Sequence, residues 1–346
     1  MDVLKHLPEL LAGGESLVLA LIVGRSGSAP RAAGARMAVH AGGALLGTIG
    51  GGILEARVRE LAGEVFTTRR AILEEFEFTD GEAGRMGMVC GGRVRVLIHF
   101  VDASNPAQVR LYGEIHAALK SRKREWLITE LPSGEEGEAA PRQALRGNAD
   151  TLPGTIDGET IRALGQESAP SRPRLVLLDG RRFFVEPLGP GGSVYIFGAG
   201  HISRELAPLA SLVGFQTIVI DDRVEFANRE RFETADEIIV PDSFERAFEG
   251  LEITGESFLV LVTRGHSHDK TVLGEALKTG AGYIGMIGSR GKRDAVYDAL
   301  RKEGFSPREF ERVHSPVGLD IGAETPEEIA VSIVAELIRV RAGRNL

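Results

Sequence analysis

The residues with the clearest chemical use follow a short apolar run at positions 194–197. Gly198 and Gly200 come directly after this run, a helical pattern opens at His201, and a second apolar run ends in Asp221. Strand, glycine turn, helix and acid in this order are typical of a dinucleotide-binding βαβ unit. Gly198 permits the tight turn, Gly200 lets a phosphate approach the backbone, and Asp221 is placed to bind a ribose hydroxyl.

Neighbouring residues refine this prediction. Ser203 replaces the third glycine of the fingerprint and is small enough for close packing of helix on strand. Asp221 favours an unphosphorylated ribose, and therefore NAD over NADP, whereas Arg223 could pair with a 2′-phosphate. The predicted nucleotide-binding residues are Gly198, Gly200, His201, Asp221 and Arg223.

Two further polar groups follow apolar runs in the same part of the chain. His266, His268 and Asp269 could bind a divalent metal or act as acid and base, because ligands of open α/β sheets lie at the carboxyl ends of strands. Alternatively, Asp269 caps the next helix and the group is structural. Ser289 and Arg290 open another helix and form a second anion-binding candidate, with ordinary helix capping as the alternative.

The N-terminal third carries its own candidate site. Gly50, Gly51 and Gly52 stand between a short strand and a predicted helix, whose free N–H groups suit an anion such as a phosphate. A tight turn required by packing is the alternative. Arg31 and Arg36 lie on a loop punctuated by proline and glycine. They could clamp a phosphate, or they could be solvated surface charges.

The only cysteine of the chain is Cys90, which is followed by Gly91 and Gly92. A lone cysteine is often a small buried apolar residue, but glycines beside it leave the thiol uncovered. A thiolate at this position could bind a soft metal or carry sulfur as a persulfide. A zinc site built on thiolates is not expected, because no second cysteine is present.

Alternating apolar runs and helical patterns place these residues in an α/β protein. Residues 191–346 are predicted to form a Rossmann-like, doubly wound parallel sheet, and residues 1–100 an α+β, glycine-rich domain. Residues 101–190 repeat the order of the first domain, with a Gly-Thr-Ile sequence at 154–156 that matches the one at 47–49. We interpret them as a degenerate second copy, with chance similarity as the alternative.

The composition is that of an ordinary globular protein and excludes several classes. Of 346 residues, 43% are hydrophobic and 26% charged, and a net charge of −8 gives no overall attraction to nucleic acid. The longest apolar stretch, residues 17–23, is too short to span a membrane, and the N-terminus does not look like a signal peptide. One cysteine permits no intrachain disulfide, so a cytoplasmic, reducing location is expected.

Together, the motifs resemble those of the XdhC/CoxI family of xanthine dehydrogenase accessory factors, which take part in the maturation of molybdenum enzymes. The segments that carry the resemblance are 27–31, 47–55, 88–92, 196–201, 221–223, 263–269 and 315–330. They cover both ends of the chain, and their joint pattern is far more specific than any single segment.

The resemblance implies a chaperone for the molybdenum cofactor, in the form of molybdopterin or its dinucleotide. Proteins of this family are thought to protect the cofactor, to present it for sulfuration and to help insert it into a xanthine dehydrogenase-like hydroxylase. Cys90 would contact the cofactor, while residues 50–52 and the arginines would hold the pterin phosphate. A sulfur-donating cysteine desulfurase and a homodimeric state are implied as well.

Other functions remain open at this point. An NAD(P)-dependent oxidoreductase would use His266 and His268 near a nicotinamide, and a nucleotide-sensing regulator would bind without chemistry. The chain is expected to be an accessory protein, because one cysteine and 346 residues cannot provide the clusters and redox domains of a complete xanthine dehydrogenase. The C-terminal domain could bind NAD(P) or the nucleotide half of a pterin dinucleotide.

Overall fold

The computed structural model describes seven stretches of the chain, which are residues 3–27, 31–78, 92–121, 125–132, 140–146, 156–166 and 172–343. Contacts between Cα atoms divide the protein into two compact units, Met1–Gly189 and Pro190–Leu346. Cys90 and Gly91 lie outside the described residues, as does the side chain of His266.

The first sheet of the N-terminal unit is antiparallel. Its strands are β1 (Leu17–Gly27), β2 (Arg36–His40), β3 (Leu45–Gly47), β4 (Ile72–Phe78) and β5 (Gly92–Val101). They hydrogen-bond in the order β3-β2-β1-β5-β4. Helix α1 (Leu7–Ala12) precedes the sheet, and helix α2 (Gly52–Thr68) packs on one of its faces.

The central strand β1 is apolar without a break over residues 17–23 because both of its faces are buried. Val18, Ala20 and Ile22 belong to the core beneath α2. Leu17 and Leu19 point to the other face, into a core shared with the second half of the unit. The continuous apolar run therefore follows from the position of β1 between two layers.

The second sheet of this unit has a related strand order. Helix α3 (Pro106–Ser121) leads into β6 (Glu125–Glu130), β7 (Gln143–Arg146), helix α4 (Gly158–Gln166), β8 (Arg174–Leu178) and β9 (Arg181–Leu188). The order β7-β6-β9-β8 corresponds to β2-β1-β5-β4 of the first sheet when strands are matched along the chain. Helix α4 takes the place of α2 in this match. This agreement supports the hypothesis of a duplication, which stays a prediction.

The C-terminal unit is a parallel six-stranded sheet. Its strands are β10 (Ser193–Phe197), β11 (Gln216–Ile220), β12 (Glu237–Ile239), β13 (Ser257–Leu261), β14 (Tyr283–Met286) and β15 (Val313–His314). They pair in the order β12-β11-β10-β13-β14-β15, which is the 3-2-1-4-5-6 order of a Rossmann domain. The predicted α/β fold class is confirmed.

Four helices cover the two faces of this sheet. They are α5 (His201–Leu212), α6 (His266–Leu277), α7 (Arg290–Lys302) and α8 (Pro326–Arg341). Helices α5 and α8 pack on one face, and α6 and α7 on the other. Between β12 and β13 the chain forms only a short 3-10 helix, Phe244–Arg246. Two further 3-10 helices are Val3–Lys5 and Pro307–Arg312. Within the described stretches, no helix is long and apolar enough to cross a lipid bilayer.

Candidate functional site

The crevice of the C-terminal unit lies where its strand order reverses. Strand β10 pairs with β11 on one side and with β13 on the other. The chain leaves β10 for α5 on one face of the sheet, and leaves β13 for α6 on the opposite face. Ligands of open α/β sheets bind at such a switch point, so the loops after β10, β11 and β13 form the candidate nucleotide site.

The two glycines after β10 have different surroundings. Gly198 has a φ of 112°, and a Cβ atom there would overlap the carbonyl oxygen of Val262. Gly200 is the N-cap of α5 with an ordinary φ of −77°, and a Cβ atom there would meet nothing within 4 Å. Ser203 Oγ donates to the Gly198 carbonyl oxygen at 2.5 Å. The space beside Gly200, next to the exposed His201, suits the predicted approach of a phosphate, which stays a prediction.

The side chain of Asp221 is 1% exposed, and its carboxylate accepts four hydrogen bonds from within the protein. Its Oδ2 accepts hydrogen bonds from the Ala199 N–H at 2.8 Å and from Arg223 Nη2 at 3.0 Å. Its Oδ1 accepts from the Arg223 N–H at 3.1 Å and from Arg223 Nε at 2.9 Å. In this arrangement Asp221 supports the glycine loop. The ligand-binding roles of Asp221 and Arg223 stay predictions, and that of Asp221 requires this pairing to open.

The next acid, Asp222, is bound across the crevice. Arg264, which follows β13, contacts it through two atoms, with Nη2 at 2.9 Å from Oδ2 and Nη1 on Oδ1. These hydrogen bonds hold the pKa of Asp222 below its usual value. Because β11 and β13 flank β10, the ion pair bridges over the carboxyl end of β10. The sequence gives no signal for this pair, whose members are 42 residues apart.

The structure contradicts one detail of the structural alternative for the group around His266, which is the position of the helix cap. Helix α6 begins at His266 and its N-cap is Gly265, so the alternative in which Asp269 caps the helix is wrong. Asp269 is completely buried, its Oδ1 accepts from the Thr263 hydroxyl at 2.6 Å, and its Oδ2 pairs with Lys292 Nζ. Asp269 therefore joins the loop after β13 to the first turn of α7.

The metal site predicted from this group stays a prediction. The ring of His268 packs beside that of Phe244, with centroids 5.0 Å apart. Among the side chains that the structure describes, no three metal-ligating residues come together. The side chain of His266 is outside that set.

Ser289 and Arg290 open helix α7, as the sequence indicates. Ser289 is the N-cap, and its hydroxyl accepts from the Lys292 N–H at 3.3 Å. The capping alternative is therefore present in the structure. Arg290 is exposed, and an anion-binding role for the two residues stays a prediction.

The glycine loop of the N-terminal unit has an internal anion. Gly50, Gly51 and Gly52 have φ angles of 135°, 78° and 61°, a conformation that other residues rarely adopt. The Oε1 atom of Glu55 accepts hydrogen bonds from the N–H groups of Ile49 at 3.1 Å and Gly51 at 2.9 Å. Thr48 donates a third from its hydroxyl.

The hydrogen bonds to Glu55 limit where on the glycine loop a phosphate could bind. Burial would raise the pKa of Glu55, but the bonds from Thr48, Gly51 and Ile49 outweigh it and hold the pKa below its usual value. A carboxylate thus occupies the inner side of the loop. The N–H groups of Gly52 and Ile53 belong to the first turn of α2, and both residues are exposed. An incoming phosphate would have to bind there.

The two arginines near this loop have separate environments. Arg36 forms an ion pair with Glu186 of β9, with side-chain exposures of 9% and 4%. It also donates to the Gly34 carbonyl oxygen at 2.8 Å. The interpretation of Arg36 as a solvated charge is therefore wrong, because its guanidinium is mostly buried and pairs with Glu186. Arg31 is exposed, and its predicted role in phosphate binding stays a prediction.

The loops that carry the N-terminal motifs leave the first sheet at one end. Strand β1 ends at Gly27, before Arg31, and β3 ends at Gly47, before the glycine loop. Both strands are antiparallel to β2, and β5 is antiparallel to β1 with Gly92 opposite Gly27. The chain therefore enters β5, two residues after Cys90, at the same end of the sheet.

Comparison with known proteins places the chain in a family. Residues 10–77 match the XdhC and CoxI family, and residues 194–337 match the XdhC Rossmann domain. A probable xanthine dehydrogenase subunit of Bacillus subtilis (strain 168) is 30% identical in an alignment of 350 positions, which covers 97% of this chain and 96% of that protein. The chain belongs to the XdhC and CoxI family, as its motifs predict.

Three other proteins are similar to this chain. Uncharacterized protein YqeB of Escherichia coli (strain K12) is 27% identical over 93% of this chain, which spans only 43% of the length of YqeB. Molybdenum cofactor insertion chaperone PaoD of the same organism is 22% identical over 98% of this chain and 88% of PaoD. A crystal structure described as a xanthine dehydrogenase from Bacillus halodurans has a TM-score of 0.74 and 26% identity, covering 99% of this chain and 96% of that chain.

Proposed function

We propose that the protein binds the molybdenum cofactor and helps to mature a xanthine dehydrogenase-type enzyme. Membership of the XdhC and CoxI family carries the proposal, together with similarity over nearly the whole chain to a relative named as a molybdenum cofactor insertion chaperone. The relative named as a probable xanthine dehydrogenase subunit supports the same class of recipient. A single cysteine cannot ligate iron–sulfur clusters, so the role proposed is accessory.

The proposed cofactor site lies at the end of the first sheet where the loops of Arg31, residues 50–52 and Cys90 emerge. A pterin phosphate suits the exposed N–H of Gly52 and the guanidinium of Arg31. The carboxylate of Glu55 confines that phosphate to the helix side of the loop. A thiolate at Cys90 suits the molybdenum centre that the cofactor supplies to the recipient enzyme.

The proposal also includes a nucleotide ligand, a sulfur donor and a homodimeric state. The C-terminal unit holds a nucleotide, which is the nucleotide half of a dinucleotide form of the cofactor. A cysteine desulfurase donates sulfur to the bound cofactor, and the protein acts as a homodimer in the cytoplasm. The switch-point crevice after β10 supports the nucleotide role.

Binding of the cofactor to the full-length protein tests the proposal. The protein is incubated without oxygen with cofactor released from a molybdenum enzyme, and retained pterin is measured by fluorescence after gel filtration. We expect stoichiometric pterin in the wild type and a large loss in Cys90→Ser. Arg57→Ala, on the exposed side of α2, is the control. Absence of pterin from the wild type would refute the function, and full binding by Cys90→Ser would refute the thiol role.

The strand order of the C-terminal unit favours a second candidate, an NAD(P)-dependent oxidoreductase. This function requires turnover of a reduced nicotinamide with a small substrate. Gly200→Val would abolish the turnover by filling the space where a phosphate approaches. Binding of NAD(P) without pterin, followed by such turnover, would replace the chaperone proposal.

A further inference from the structure

We infer that Asp222, and not Asp221, is the acid that binds the ribose hydroxyls of a nucleotide in the C-terminal crevice. The ligand class is a nucleotide whose diphosphate lies beside Gly200 and whose ribose carries free hydroxyl groups. The inference rests on the nucleotide role that the proposed function gives to this unit. It assigns the specificity of that site to a residue outside the usual fingerprint position.

Asp221 has no acceptor capacity left for a ligand. An ionised carboxylate has about four lone-pair positions for hydrogen bonds. Asp221 accepts one bond from the Ala199 N–H and three from Arg223, all between 2.8 and 3.1 Å. With 1% of its side chain exposed, it has neither a free position nor a path to a ligand. A ribose bound to Asp221 would have to break the support of the glycine loop.

Asp222 differs from Asp221 both in its acceptor capacity and in its exposure. Its two oxygens each take one hydrogen bond from Arg264, while Arg223 Nε is 4.0 Å from Oδ1 and outside hydrogen-bonding distance. The Asp221 side chain also interacts with Asp222, so part of the remaining acceptor capacity is open, which is enough for one ribose hydroxyl. The Asp222 side chain is 14% exposed, so this open capacity is at the surface of the crevice.

The ion pair of Asp222 and Arg264 lies close to the glycine loop after β10. Asp222 follows β11 and Arg264 follows β13, so the pair crosses above the end of β10 and its glycine loop. A nucleotide with its diphosphate beside Gly200 would bring its ribose toward this ion pair. Contact with Arg264 through two atoms fixes the plane of the carboxylate before a ligand arrives, which lowers the ordering cost of binding.

The test compares ADP with 2′-deoxy-ADP by calorimetry on the full-length protein. Loss of one hydrogen bond to a charged group predicts that the wild type binds ADP about tenfold more tightly than 2′-deoxy-ADP. Asp222→Ala is expected to bring this ratio close to one. Asp222→Asn, which preserves the shape of the side chain, is expected to reduce it. Asp242→Ala removes an exposed acid of the same unit and is expected to leave the ratio unchanged.

The ratio separates the inference from the proposed function. A tenfold ratio that survives in Asp222→Ala would overturn the inference while nucleotide binding stands. Equal affinity of the wild type for both nucleotides would overturn it as well. If neither nucleotide binds, the inference and the nucleotide role of the crevice both fail, while pterin binding to the same preparation tests the cofactor role independently.

Discussion

At the scale of single residues, both glycine loops bind a carboxylate of their own chain. Glu55 accepts from the N–H groups of Ile49 and Gly51, and Asp221 accepts from the N–H of Ala199. The sequence predicts the loops and the acid after β11, because glycines and an acid at fixed spacing are visible in one dimension. It does not reveal that Asp221 is saturated, since that depends on the orientation of the Arg223 side chain.

His99 gives a prediction at the same scale. It is buried on β5, its Nε2 has no hydrogen-bond partner among the described residues, and burial lowers its pKa to about 4. A histidine in the unfolded chain titrates near 6.5, so below that pH the unfolded state takes up a proton that the folded state refuses. The folded state is therefore expected to lose about 3 kcal/mol between pH 6.5 and 4 from this residue.

His99→Leu removes this pH-dependent loss. Urea unfolding, followed by the fluorescence of Trp126 in the same unit, is expected to show a shallower fall in the free energy of unfolding as the pH drops. Comparison of pH dependences avoids the separate effect of the substitution on packing. His6→Leu, at a partly exposed position of the same unit, is the control. Identical pH dependence in His99→Leu and the wild type would contradict the assignment.

At the scale of elements, the sequence predicts long or well-marked segments best. Strand β10 is predicted within one residue, because it is an apolar run buried on both faces. Helix α8 begins with a capping box of Thr325 and Glu328 and has Pro326 at its first position, residue types that mark a helix start in a sequence. Strand β15 has two residues, too few for any periodicity. Its existence follows from pairing with β14, which only the folded sheet provides.

The loop between β10 and α5 yields a prediction from two matched substitutions. Gly198→Ala forces a positive φ on alanine and overlaps the Val262 carbonyl oxygen, so it is expected to cost about 2 kcal/mol or more. Gly200→Ala has room and an ordinary φ, so stability should change by less than about 0.5 kcal/mol. Its methyl group instead occupies the space beside a bound phosphate.

Hydrogen exchange of β10 and α5, with calorimetry of ADP binding, checks both variants. We expect faster exchange in Gly198→Ala only. Gly200→Ala is expected to exchange like the wild type and to bind ADP at least tenfold more weakly. Wild-type affinity for ADP in Gly200→Ala would show that no phosphate approaches this glycine.

At the scale of the whole molecule, the chain combines two units that offer different groups for binding a ligand. The N-terminal unit has an exposed Arg31 and the exposed first turn of α2, and its chain enters β5 at Gly92. The C-terminal unit provides a crevice with the strand order of a nucleotide-binding domain.

Transfer of the cofactor from this protein to a recipient enzyme is the decisive measurement for the proposed chaperone function. The cofactor-loaded protein is mixed with a cofactor-free xanthine dehydrogenase-type enzyme, and the recovery of hydroxylase activity is followed against an equal amount of free cofactor. We predict faster and more complete recovery with the loaded protein, and loss of that advantage with Cys90→Ser. Equal recovery from free cofactor, with or without the protein, would contradict the proposed function.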